Sequence, residues 1–220
     1  MKSNITEILN KTIEAEHLIK LNRELNTAIL SGQFERSKTI LDQGANLIFI
    51  EGLDLRKYNL EEQTSLHVAC KNAYESIVRL LIDRGVNIES KNRNSQTPLH
   101  LAADTGNISI ISILINANAN LEARDADGDT PIGWAANADK VEAAGFLHRK
   151  GANLNSANDY GKTPLHWACT QGFTEVARLL INLGADYKLK DKSKKTPFEL
   201  AIENGHIATV KTLNEMGIET

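Results

Sequence analysis

The sequence predicts an all-α solenoid of about six helix–turn–helix units with connecting β-hairpin loops, plus an extra N-terminal helix. Three observations predict it. Five tetrapeptides begin at Thr64, Thr97, Thr130, Thr163 and Thr196, an unbroken interval of 33 residues, and a fixed period of this size marks a repeat architecture. A small residue recurs five positions after each Thr, as Ala69, Ala102, Ala135, Ala168 and Ala201. Gly85, Gly151, Gly184 and Gly217 stand 21 positions after a Thr, with Asn118 in the second copy. Asn is the usual non-Gly residue that tolerates a left-handed backbone.

Each element follows from local chemistry. Residues 4 to 20 carry Ile5, Ile8, Leu9 and Ile13 at helical spacing, with Asn4 and Glu7 set as a capping box. An amphipathic helix over 1–20 is expected to cover the apolar end of the stack. A repeat domain over 21–220 follows, with a divergent cap unit at 21–55 and matched units beginning near 59, 92, 125, 158 and 191. In the cap unit Arg23 takes the Thr position, and Ala28, Gly32, Ile40, Leu41, Gly44 and Ala45 fall on the repeat pattern. From Gly44 to Thr64 is 20 residues, against 12 from Gly85 to Thr97, so the first hairpin carries eight extra. In the matched units Pro at the first helical position forfeits no hydrogen bond, and the Thr before it caps free N–H groups. The Thr opens a first helix and the Gly closes a second.

The tetrapeptides read Thr64-Ser65-Leu66-His67, Thr97-Pro98-Leu99-His100, Thr130-Pro131-Ile132-Gly133, Thr163-Pro164-Leu165-His166 and Thr196-Pro197-Phe198-Glu199. In motif and period the chain resembles the ankyrin-repeat family over about residues 23 to 217. The resemblance implies that His67, His100 and His166 hydrogen-bond the backbone of neighbouring loops. It also implies a concave face, built from hairpin tips and the exposed ends of the first helices, that grips another macromolecule.

Composition gives little pull toward other classes. The net charge of −3 does not favour nucleic acid or anionic membrane. No apolar run reaches the roughly 18 residues of a membrane span, and no signal-peptide core is seen at the N-terminus. A cytoplasmic monomer without cofactors is expected. Cys70 and Cys169 fall three repeats apart at equivalent positions and read as free, buried thiols. No metal, nucleophile or phosphate-binding motif occurs. Asp125, Asp127 and Asp129 alternate as in a calcium loop, but an EF-hand wants Gly and Glu where Thr130 and Ala136 stand. They read as a turn at a hairpin tip. Trp134 and Trp167 share one inner-helix position and read as core.

The function expected is a non-enzymatic module that binds a protein partner. The resemblance assigns the binding face to positions just before each Thr and seven or eight after it. The first unit contributes Leu60, Glu61, Gln63, Lys71 and Asn72. The second contributes Arg93, Asn94, Gln96 and Asp104. The third gives Asp127, Asp129 and Asn137, and the fourth gives Asp159, Tyr160, Lys162 and Gln171. Lys192 and Lys195 close the row. Charge along it is uneven, acidic at Asp125 to Asp129 and basic from Lys188 to Lys195. An alternative is an effector of an intracellular microbe that uses the same groove on a host protein; an enzyme lacks any convergent constellation. The third unit is expected to be the soft point of the stack. Gly133 replaces the repeat His, Asp139 replaces a turn Gly, and Gly145 lies inside a helix.

Overall fold

The computed structural model describes residues 20–43, apart from Asn22 and Asn26, and residues 64–219. The expected N-terminal helix and the long first hairpin, with Leu60, Glu61 and Gln63, lie largely outside the described residues. Contacts group the chain into two compact units, Met1–Asn87 and Ile88–Thr220. Among the described residues the fold is all-helical, with no strand.

In the first unit, residues within 20–30 are helical and α1 (Phe34–Asp42), α2 (Ser65–Lys71) and α3 (Glu75–Asp83) follow. Leu25, Ala28 and Ile29 are buried, as are Leu66, Ala69, Ile77, Val78 and Leu81. Gly32 holds φ +64°, and a Cβ there would stand 3.1 Å from the Tyr74 ring, so Gly is needed for the ring to lie against the turn. An Arg84–Asp42 ion pair at 2.6 Å links α1 to the end of α3.

The second unit is a stack of helix pairs: α4 (Pro98–Thr105) with α5 (Ile108–Asn116), α6 (Pro131–Asn137) with α7 (Val141–Arg149), α8 (Pro164–Gln171) with α9 (Thr174–Asn182), and α10 (Pro197–Glu203) with α11 (Ile207–Glu215). The first helices form one layer, with α4 on α6, α6 on α8 and α8 on α10. The second helices form the other, with α5 on α7, α7 on α9 and α9 on α11. Leu99, Ile132, Leu165 and Phe198 are buried at the same repeat position, and Ala102, Ala135, Ala168 and Ala201 are wholly buried where helices meet closely. Ile110, Ile111, Leu114, Leu147 and Leu180 fill the second layer.

The start signals act as their chemistry demands. Thr64, Thr97, Thr130, Thr163 and Thr196 are all N-caps in extended backbone. The His three residues on accepts the Thr N–H at Nδ1, at 3.2, 3.0 and 3.1 Å for His67, His100 and His166. Each Thr hydroxyl lies 2.8 Å from the same nitrogen. The ring proton therefore sits on Nε2, which in His100 donates to the Asp129 carbonyl (3.1 Å) and in His166 to the Lys195 carbonyl (3.2 Å). Burial pushes both imidazoles below their ordinary value. In the last copy Glu199 takes over the first half of this task, accepting the Thr196 N–H at 2.7 Å. That hydrogen bond holds its carboxyl below the usual range. Asn118 (φ +68°) and Asp139 (φ +57°) adopt the left-handed backbone their positions call for, and so does Ala73 (φ +58°), where sequence offers no Gly or Asn to signal it.

Four loops fall among the described residues, and they carry no strand. Each is a tight turn built on one Asx side chain. Asn92, Asp125 and Asn158 present Oδ1 to the N–H groups two and four residues on, at 2.8 to 3.0 Å, and Asp191 does so to Lys195. The fourth residue of each turn has positive φ: Ser95, Gly128, Gly161 and Lys194. Adjacent tips are tied by one backbone hydrogen bond of 2.9 Å, from Ala126 N–H to Asn94, Asp159 N–H to Asp127, and Lys192 N–H to Tyr160. Both cysteines are buried and free.

Candidate functional site

The turns set a row of side chains in the second unit, and the Asx residues that make the turns also decide what is exposed. Asp125 spends Oδ1 on its own turn and accepts the Trp134 indole N–H at Oδ2, at 2.8 Å. Asp129 lies half-buried between units. Its Oδ1 accepts from Trp167 Nε1 at 2.7 Å and its Oδ2 from Asn158 Nδ2 at 3.0 Å. Burial raises its carboxyl above the ordinary carboxylate value despite those two donors.

Of the positions assigned from sequence, several are brought together. Tyr160 is 56 % exposed and its hydroxyl donates to Asp127 Oδ1 at 3.2 Å. The Asp127 charge raises the phenol above its usual value. Lys162 places Nζ 4.5 Å from the centre of the Trp167 ring. Gln171 donates to Asn137 Oδ1 across adjacent first helices at 2.9 Å. Asp159 is exposed and pairs with Arg124 at 3.3 Å, while Lys195 lies 3.7 Å from Glu203. Arg93, Asn94 and Lys192 are exposed at their tips, and Asp104 is half-buried near the end of α4.

Two assignments are corrected. Gln96 is only 7 % exposed, because its Oε1 accepts from Asn92 Nδ2 at 2.7 Å and seals the base of the turn. The two tryptophans are not core. Both are half-buried at the inner-helix surface, with their indole N–H groups engaged by tip carboxylates. Sequence reasoning missed them as site residues, although the signal was present. Both occupy the fifth position of the six-residue motif, between the buried His or Gly and the buried Ala, where the other copies carry Val68, Leu101 and Leu200.

The third copy departs from its neighbours at the cap. Gly133 does remove the imidazole, and the Thr130 hydroxyl is left buried without a hydrogen-bonding partner. Yet a Cβ at 133 would stand 3.4 Å from Asp129 Oδ1. The carboxylate of Asp129 thus runs beside the missing ring and supplies two cross-unit hydrogen bonds in place of one. No group of three or more His, Cys, Asp or Glu among the described residues is placed to hold a metal ion, and none of their helices is long and apolar enough to cross a membrane.

No curated protein matches the sequence. A family model described as ankyrin repeats (3 copies) matches residues 25–125, 109–191 and 132–220. With the 33-residue period, the Thr caps and the cross-tip histidines already in place, the chain belongs to the ankyrin-repeat family.

Proposed function

We propose that this chain is a non-enzymatic module that binds a protein partner along the tips and inner-helix surface of its second compact unit. Ankyrin repeats are generally protein-interaction modules, and the observation that carries the reading here is the pair Trp134 and Trp167. Two large aromatics held half-exposed by hydrogen bonds, beside an exposed Tyr160, are the residue types that dominate interface energetics. Their fixed indoles lose little rotamer freedom on binding. The sites proposed are Arg93, Asn94, Asp104, Asp127, Asp129, Asn137, Asp159, Tyr160, Lys162, Gln171, Lys192 and Lys195, with the two tryptophans added.

The reading extends to organisation. Residues 21–220 are taken as a repeat domain of about six units acting as a monomer, and the helix expected over 1–20 lies largely outside the described residues. Two buried, unpaired cysteines suit a reducing, cytoplasmic compartment. Proximity crosslinking in the native organism, from a photo-reactive residue at the exposed position 193 of the neighbouring tip, tests the reading. It is supported by capture of a protein whose recovery drops about tenfold with Tyr160→Ala and Asp127→Ala combined. Capture that is indifferent to those changes moves the site to another face.

A further inference from the structure

The two tryptophans occupy equivalent positions but see different neighbours, and the difference identifies what a partner must bring. Trp167 carries an ammonium over its ring, the Lys162 Nζ at 4.5 Å. Lys162 is the residue just before the copy's Thr. In the preceding copy that place is Asp129, whose carboxylate turns away to Trp167 and Asn158. Trp134 therefore has no cation over its ring among the described residues, while Asp125 holds its N–H and the exposed Asp127 stands on the same tip. An indole face beside carboxylates attracts a cation both through its quadrupole and by charge.

Two tips further on the sign reverses. Lys192 and Lys194 are exposed and make no ion pair among the described residues. The intervening tip presents Tyr160, 56 % exposed. Backbone hydrogen bonds between adjacent tips fix the order along this row, from Asp127 to Asp159 and from Tyr160 to Lys192. Packed helices stand roughly 10 Å apart, so two steps span about 20 Å. An extended chain covers that in about six residues, at about 3.3 Å each.

We propose that the row takes an extended protein segment whose Lys or Arg lies on Trp134 beside Asp127, and whose acidic side chain, about six positions away, pairs with Lys192 and Lys194. The segment crosses Tyr160 between these two ends. This rests on the protein-binding reading and adds the charge pattern and spacing that the partner must carry.

Fluorescein-labelled synthetic peptides with Arg and Glu about six positions apart, in both orders, test it by polarisation against the full chain. Controls carry the same residues about two apart, or two acidic residues, or two basic ones. The matched spacing is expected to bind about tenfold more tightly than the controls. Asp127→Lys should favour the doubly acidic peptide, and Lys192→Glu with Lys194→Glu the doubly basic one. These exposed sites keep the test independent of folding, and unchanged circular dichroism confirms it. Binding that follows Tyr160→Ala but ignores peptide charge and spacing overturns the inference and leaves the protein-binding reading standing. Failure of every peptide to bind overturns it as well, with the crosslinking above still deciding the broader reading. Tighter binding of a single-stranded oligonucleotide, lost on Lys192→Glu with Lys194→Glu, overturns both.

Discussion

Asp129 and Trp167, 38 residues apart, are joined by a 2.7 Å hydrogen bond from indole to carboxylate. The bond ties the third copy to the fourth, where the third copy lacks the imidazole that crosses between tips in its neighbours. Trp167→Phe removes the donor and leaves a half-buried carboxylate oxygen short of a partner. Unfolding free energy should drop by about 2 kcal/mol. Asp129→Ala should cost a similar amount, and the double variant less than the sum, because the two share one interaction. Additive losses in urea denaturation would show that the pair is not coupled.

Carboxyl titration followed by NMR should separate Asp129 from Glu199. Burial raises the first and the Thr196 N–H lowers the second. A raised carboxyl binds its proton more tightly in the native state than in the unfolded chain, so as pH falls through its native value Asp129 gains stability. Glu199 does the reverse, its contribution being present above the unfolded value and lost as pH falls toward its native one. Identical midpoints for the two would contradict the geometry.

The histidines act in the same sense as Glu199 and opposite to Asp129, at milder pH. His100 and His166 stay neutral in the fold, with native values below the ordinary 6.5. Their stabilisation is complete above that value and declines as pH drops toward the native one, since the unfolded chain takes up protons that the native rings refuse. Urea midpoints measured from pH 8 to pH 5 should fall, and His100→Gln with His166→Gln should flatten the slope. Long-range nitrogen–proton NMR should find both rings as Nε2–H tautomers.

Gly145 and Gly133 should respond differently to substitution. A Cβ at 145 would meet only the far ends of Arg149 and Leu179, each at 3.4 Å. Gly145→Ala is expected to add about 1 kcal/mol and to slow amide exchange across residues 130 to 150. Gly133→His introduces a ring beside the carboxylate of Asp129 and should leave the melting temperature nearly unchanged. A gain at 133 equal to that at 145 would mean that Asp129 does not fill the role of the missing imidazole.

The cysteine thiols report each compact unit separately. Burial raises Cys70, and it pushes Cys169 up to about 12, so neither forms thiolate in the native state. Labelling by an aromatic disulfide should be limited by opening of the residues around each, with Gly145→Ala slowing Cys169 and leaving Cys70 unaffected.

Much of the fold was legible because repetition multiplies weak signals. One Thr-Pro is ambiguous, whereas a Thr cap, buried Ala and closing Gly in register leave few alternatives. The turns were legible as turns but not as Asx turns, since Asn92 and Asp125 look like any polar loop residue until their Oδ1 is seen to meet two N–H groups. The candidate surface was half legible. Position within the repeat placed Tyr160 and Asp127 on one row, but burial depends on pairing across units. Nothing in the order of residues says that Gln96 folds onto Asn92, or that two tryptophans surface to meet carboxylates nine and 38 residues away.

The single backbone hydrogen bond between neighbouring tips makes the row a template with interchangeable letters. Donor and acceptor belong to the main chain at Ala126 and Asn94, Asp159 and Asp127, Lys192 and Tyr160, so the pitch of the row is indifferent to the side chains it displays. Mutation at these positions can rewrite what the surface reads while the Asx residue below keeps each turn in shape. Selection, or a protein engineer, can therefore retarget the molecule by exchanging tip residues one copy at a time, with little penalty to folding.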